Sequence, residues 1–323
     1  MLATTQEAQE YRKKFHQYYY DRIVGHLSAF ENARKPALSF YTFWLSLVAA
    51  TIVATIAVLI HLNQISPDTC WDNHGSGEAT MQLGALIAAG FFLLAKKVAK
   101  DFENKVKTGI IRSFLSFFGD FSWSCKDSIS RDDILESGLV GNFNELKSDD
   151  YFEGTHRGLK VVISENKLIR GSGKNRSTIF EGLFIQLDIN KRFSGHTLIR
   201  EDNVLAVFEK PDRSMEDVQL EDVEFNKMFN VYADDQTEAR FLITAAFIER
   251  FKNLRQVYGA RDIRASFLNN SLIVAINCKK DMFKLGNVRK PVADTGQMQE
   301  LFEEFIAVLS LVELLNLDSK TGL

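Results

Sequence analysis

The chain has 323 residues, 46% hydrophobic and 25% charged, with a formal net charge of -3, enough for one large folded domain or two modest ones. So nearly balanced a charge excludes bulk affinity for nucleic acid. The averages hide a sharp division along the chain. Thr4 followed by Glu7 has capping-box spacing, and Tyr11, Phe15, Tyr19, Ile23 and Leu27 recur every four residues behind it. Segment 1–36 is therefore expected to be an amphipathic helix, packed on segment 96–118 or laid on a lipid surface. The 26 residues from Ala37 to Leu62 contain no Lys, Arg, Asp or Glu. At about 1.5 Å per residue they reach roughly 39 Å, more than a bilayer core of about 30 Å, and so predict a transmembrane helix.

A second apolar run, Thr80 to Ala95, has 16 residues. Alone it reaches only about 24 Å, but snorkelling of Lys96 and Lys97 would extend the span to residue 99 and roughly 30 Å. Gly84 and Gly90, with Ala85, Ala88 and Ala89, offer small residues for close packing on the first helix. The intervening loop 63–79 carries Asp68, Asp72 and Glu78 but no Lys or Arg, whereas both flanks are basic. Lys13, Lys14, Arg34 and Lys35 precede the hairpin, and Lys96, Lys97, Lys100 and Lys105 follow it. The positive-inside rule puts both termini in the cytoplasm, with 100–120 as a helical connector. Of the three cysteines only Cys70 falls in the outer loop, so Cys125 and Cys278 are expected to stay reduced.

From about 121 the pattern becomes that of a cytosolic α+β domain. "SRDDILESGL" predicts a short helix opening at Ser130. Strands are expected at 151–163, 167–170, 178–188, 196–201 and 221–232, then a helix from 236 to 258. "DIRASFLNNSLIVAINC" predicts a hairpin turning at Asn269 and Asn270. The last helix is expected to begin near Asp294 and bury Leu301, Phe305, Val308, Val312 and Leu315. Short turns between successive strands favour a mostly antiparallel sheet, covered by two long helices.

Chemistry-bearing motifs are few. "RGSGKNRS" (170–177) has glycines before Lys174, but a phosphate loop needs Gly where Leu168 stands and Ser or Thr where Asn175 stands. It reads as a turn, whose Arg170, Lys174 and Arg176 are candidates for anionic headgroups. The sequence contains no H-E-x-x-H, C-x-x-C or G-x-S-x-G. Asp149, Asp150 and Glu153 are candidates to join Asp234 and Asp235 around Mg²⁺ or Ca²⁺. Asp235 and Glu238 also have capping-box spacing with Asp in the cap position, which makes them a helix start signal. Arg240, among apolar residues, would need an acidic partner if buried.

Together "FFGDFSW", "ILESGL", "DDYFEGTHRGLKVVISENKL", "FEGLFIQLDINKRFSGHTLI" and "VYADDQTEARFLITAAFIERF" resemble an uncharacterised bacterial family over residues 110–317. Its members are two-pass inner-membrane proteins with a cytosolic domain of unknown function. The most specific shared motif is carried by Gly182, Leu183, Phe184, Asp188, Asn190, Lys191, Phe193, Gly195 and Thr197, with Ile189 where Phe is expected. The resemblance implies no catalytic residue, and gene neighbourhood in the family implies a LemA-type membrane protein as a partner. Read as residues, the motif is a strand and a turn, with Gly195 suited to a left-handed turn position before the next strand. Two functional readings stay open. One is a membrane-anchored interaction domain without cofactor; the other is a metal-assisted enzyme or ligand sensor using the acids at 149–153 and 234–238.

Overall fold

A computed structural model describes residues 6–65, 76–189, 193–201, 214–278, 282–292 and 295–320. Thr4, Asn190, Lys191, Cys70 and Asp294 lie outside the described residues. The chain divides into two compact units, one formed by 19–110 and 284–295, the other by 1–18, 111–283 and 296–323.

The first unit is a helical hairpin. It opens with a π-turn (Tyr19–Ile23) that runs into α2 (Val24–Ile65), with Pro36 inside α2, while helix α1 (Gln6–Tyr18) belongs to the second unit. Helix α3 (Ser76–Leu115) returns antiparallel. Both helices are long and apolar enough to cross a membrane. Trp44 stacks on Phe91 with centroids 5.7 Å apart, and a methyl added to Gly84 or Gly109 would collide with Thr55 or Phe30. Gly84 therefore is a close-packing position, as its size predicts. Gly90 is not, because a Cβ there would meet nothing within 4 Å.

The second unit is α+β, built on an antiparallel sheet with nine strands among the described residues. These are β1 (Ser122–Ser124), β2 (Glu145–His156), β3 (Leu159–Arg170), β4 (Ser177–Asp188), β5 (Thr197–Glu201), β6 (Glu216–Asp217), β7 (Phe229–Ala233), β8 (Asp262–Leu268) and β9 (Ser271–Asn277). Their order across the sheet is β1-β2-β3-β4-β9-β8-β5-β7-β6.

Several boundaries differ from expectation for local reasons. The strand expected over 151–163 is two strands, because Arg157 and Gly158 both take positive φ (50° and 85°) and close a tight hairpin. The segment 221–232 begins as helix α5 (Val223–Met228), capped by Asp222, whose Oδ1 accepts from Phe225 N at 2.9 Å. There Phe225 and Phe229, four residues apart, pack at 4.7 Å. The single helix expected over 236–258 is broken into α6 (Gln236–Leu242) and α7 (Ala245–Val257). Thr244 restarts the helix by accepting from Phe247 N at 3.2 Å, a local bond that competes with helix continuation. The Asn269–Asn270 turn is as expected, with φ of 51° and 62°.

The two sheet faces are covered differently. On one, α7 and α8 (Thr295–Lys320) bury Phe247, Phe251, Leu254, Leu301, Phe305, Val308 and Val312. Phe152 meets Phe305 at 5.5 Å and Phe247 meets Phe267 at 5.4 Å across that layer. Phe15 of α1 stacks on Phe302 at 4.2 Å and meets Phe114 at 5.8 Å, so the N-terminal stripe packs on protein.

The other face carries Leu168, Phe180, Phe184, Leu198, Ile273 and Ala275, covered by residues 129–143 including helix α4 (Arg131–Glu136). Irregular backbone laid across a sheet leaves carbonyls without ladder partners. Strand arginines supply them: Arg200 donates to Gly138 O (2.6 Å), Arg264 to Leu139 O (2.8 Å) and Arg170 to Asn142 O (2.7 Å).

Candidate functional site

The two motifs singled out in the sequence meet in space. Asp234 and Asp235 follow β7, and Glu238 lies one turn into α6. Asp235 is the N-cap, its Oδ1 accepting from Thr237 N at 2.8 Å and Glu238 N at 3.0 Å. Glu238 is turned to another use. Its two carboxylate oxygens accept from Ser194 N at 3.0 Å and Gly195 N at 2.8 Å. Asp234 Oδ2 accepts from His196 N at 3.2 Å, and its Oδ1 from Ser214 Oγ at 3.3 Å. Three successive backbone amides before β5 are thus held by two carboxylates from the β7–α6 corner. Gly195 does not take the left-handed backbone expected of it; its smallness instead lets Glu238 approach, since a Cβ would come within 2.8 Å of Glu238 Oε2. Backbone amides thus already occupy part of the acceptor capacity of these carboxylates.

The other candidates scatter. Gly182 has φ of 154°, and a Cβ would strike Ile276 O of β9, so its role is close strand approach. Phe184 is fully buried and packs on Phe180 at 4.5 Å. Asp188 ends β4 and accepts from Ser271 Oγ at 3.2 Å. Arg240 is exposed and bonds within its own helix, to Gln236 O at 3.3 Å and Gln236 Oε1 at 3.2 Å, so it requires no acidic partner. Phe241, its neighbour in α6, is 46% exposed.

The acids at 149–153 do not join those at 234–238, since β2 and β7 are separated by five strands in the sheet order. Asp150 is buried and accepts from Trp123 Nε1 at 2.7 Å, while Glu153 pairs with Lys160 at 2.7 Å. Lys160 and Tyr151 hold the Glu153 carboxyl below its ordinary range. Among the described residues no group of three or more His, Cys, Asp or Glu side chains is placed to hold a metal ion. Residues 171–176 form the expected turn between β3 and β4, and Arg176 pairs there with Glu145 at 2.5 Å.

One constellation had no sequence signal. His196 Nε2 lies 2.9 Å from Ser266 Oγ, on the sheet face beneath residues 129–143, and the backbone of Ser137 bonds the ring. Burial pushes the His196 pKa down, against upward pulls from Ser137 and Asp234. Ser266 borders a cleft of about 50 Å³ with Asp133, Glu136, Ser137, Gln186 and Asn269, room for a few waters rather than an organic cofactor. A hydroxyl on an imidazole is the geometry of an activated nucleophile. Here Ser266 is 1% exposed, so the pair serves as an internal tie between strands and cover segment. Only contact across the sheet brings residues 70 positions apart together, which is why no linear motif marks them.

Residues 178–317 match a family described as "Protein of unknown function (DUF3137)". The crystal structure of the mycobacterial trehalose monomycolate transport factor A, TtfA, is similar at 13% identity, over 64% of this chain and 93% of that one, with a TM-score of 0.35. Similarity at that level transfers neither fold nor activity. No curated protein matches the sequence.

Proposed function

We propose that this protein is a two-pass membrane protein whose α+β unit is a cytosolic interaction domain without catalytic activity of its own. The observation that carries the membrane part is the surface of the helical hairpin. Val53, Phe40, Leu83, Leu86 and Leu93 are 60% exposed or more, and Phe43, Ile52, Ile56 and Ile60 about half exposed, within the runs 37–62 and 80–95 that contain no Lys, Arg, Asp or Glu. Such a continuous apolar surface is unstable in water and ordinary in lipid. Positive flanks and an acidic intervening loop support an orientation with both termini in the cytoplasm. The interaction reading rests on what the acidic candidates do. Asp150, Glu153, Asp234, Asp235 and Glu238 are all engaged by protein donors, which favours the interaction reading over the metal-assisted one.

Topology is tested by labelling Cys70 in intact cells with a membrane-impermeant maleimide, after replacing Cys125 and Cys278 by Ser. Labelling without permeabilisation is expected; labelling only after permeabilisation overturns the orientation. The interaction role is tested by crosslinking in native membranes and mass spectrometry, with a LemA-type membrane protein the first partner to look for. Recovery of no partner above a hairpin-only control would sink it.

A further inference from the structure

We propose that the cytosolic end of the helical hairpin, with the turn 287–290 fastened to it, binds the headgroup of an acidic phospholipid. This rests on the membrane reading above. Segment 284–292 belongs to the same compact unit as α2 and α3 and is held to them at four points. Gly286 sits so close to Val106 that a Cβ would come within 2.6 Å of the Val106 Cβ. Arg34 Nη1 donates to Val288 O at 3.1 Å, Val292 N donates to Glu31 Oε2 at 3.0 Å, and Lys284 pairs with Glu103 at 3.2 Å. Arg34 and the Val292 amide hold the Glu31 carboxyl down to about 2. Inside the segment, Lys290 N bonds Asn287 O at 3.0 Å and Arg289 N bonds Asn287 Oδ1 at 2.9 Å, forming a turn with Leu285 and Val288 buried beneath it.

That turn delivers Arg289 to a particular height. Its guanidinium lies over the Tyr41 ring, 4.9 Å from the centroid, and hydrogen-bonds the Tyr41 hydroxyl. The stacking of Trp44 on Phe91 and the close approach of Gly84 to Thr55 set an antiparallel stagger that brings Tyr41 opposite residues 94–98, the stretch holding Lys96 and Lys97. This is where the apolar runs of both helices end, the depth of lipid headgroups and of interfacial tyrosines. Lys35, Lys96, Lys97, Lys100, Arg289 and Lys290 are all exposed there. Glu31 and Glu103 are already paired, leaving Asp101 as the exposed acid among these residues. Flanking lysines alone would only orient the hairpin. A guanidinium fork held over a tyrosine at headgroup depth adds a fixed, planar phosphate donor. Basic clusters between helices on the cytoplasmic side are suited to anionic headgroups.

The test uses the full chain in mild detergent, titrated with tail-matched phosphatidylglycerol and phosphatidylcholine and read by native mass spectrometry. Phosphatidylglycerol is expected to bind preferentially. The double variant R289Q/K290Q is expected to weaken it about 25-fold, about fivefold per charge, with phosphatidylcholine binding and melting temperature unchanged. Lys174→Gln, on the β3–β4 turn, should leave the preference intact. Equal binding of the two lipids, an unaltered preference in R289Q/K290Q, an equal loss in Lys174→Gln, or full displacement by millimolar inorganic phosphate would each overturn the proposal. Carbonate extraction separates the two readings. A chain released as soluble protein defeats the anchor and this site together, whereas an integral protein without lipid preference defeats only this site.

Discussion

Replacing Glu238 by Ala tests whether the acids at 234–238 are structure or chemistry. The substitution removes the acceptor of two backbone amides, Ser194 N at 3.0 Å and Gly195 N at 2.8 Å. Hydrogen bonds to a charged group contribute about 1.5–3 kcal/mol when well enclosed. Glu238 is half-buried and the loop amides can recover water, so about 2 kcal/mol in total is the reasoned loss. Asp235→Ala removes an N-cap, worth about 1 kcal/mol. In a domain of this size those losses lower Tm by about 4–8 °C and 2–4 °C respectively. Fluorescence-detected melting of the detergent-solubilised chain, with and without 5 mM Mg²⁺ or Ca²⁺ (about the range where weak cation sites fill), reads both. The expected result is the two Tm decreases, with no cation effect on the parent protein. An unchanged Tm in Glu238→Ala, or a cation-induced rise in the parent that the variants abolish, would refute the structural assignment.

Gly182→Ala should do more damage than either, because its methyl would strike Ile276 O between paired strands; loss of folded yield on size-exclusion chromatography is expected. In the hairpin, Gly84→Leu should lower thermal stability by forcing α3 off Thr55, while Gly90→Leu, facing open space, should leave Tm unchanged. His196 gives a pH signature. Burial lowers its folded pKa below the ordinary 6.5, so its contribution to stability is complete above about pH 6.5 and is lost as pH falls through the folded value. Tm of the parent should therefore drop between pH 7 and pH 5 (about the interval where His titrates), and His196→Gln should flatten that drop; equal slopes would count against it.

Much of this was legible in the residues because the physics is local. A charge-free run of 26 residues can bury itself only in lipid or in a large core, whatever the rest of the chain does. Ser130 and Asp235 announce helix starts through bonds to amides two or three residues away. The Asn269–Asn270 turn is likewise a property of two neighbours with left-handed backbones. Errors came where local signals compete. Arg157 took a positive φ that its type rarely adopts, and Thr244 broke a helix whose apolar periodicity ran straight through it.

What only the tertiary structure decided is which distant groups share an environment. Glu238 has the spacing of a capping box, yet its carboxylate goes to Ser194 and Gly195, more than 40 positions back, because β5 and β7 are paired neighbours. His196 and Ser266 meet because β5 also pairs with β8. Arg289 reaches Tyr41, 248 positions away, because segment 284–292 folds onto the base of the hairpin. Propensity, capping and hydropathy are sums over near neighbours and can be read in one dimension. The engagement of a carboxylate or guanidinium depends on strand order and loop return, which no window of sequence contains.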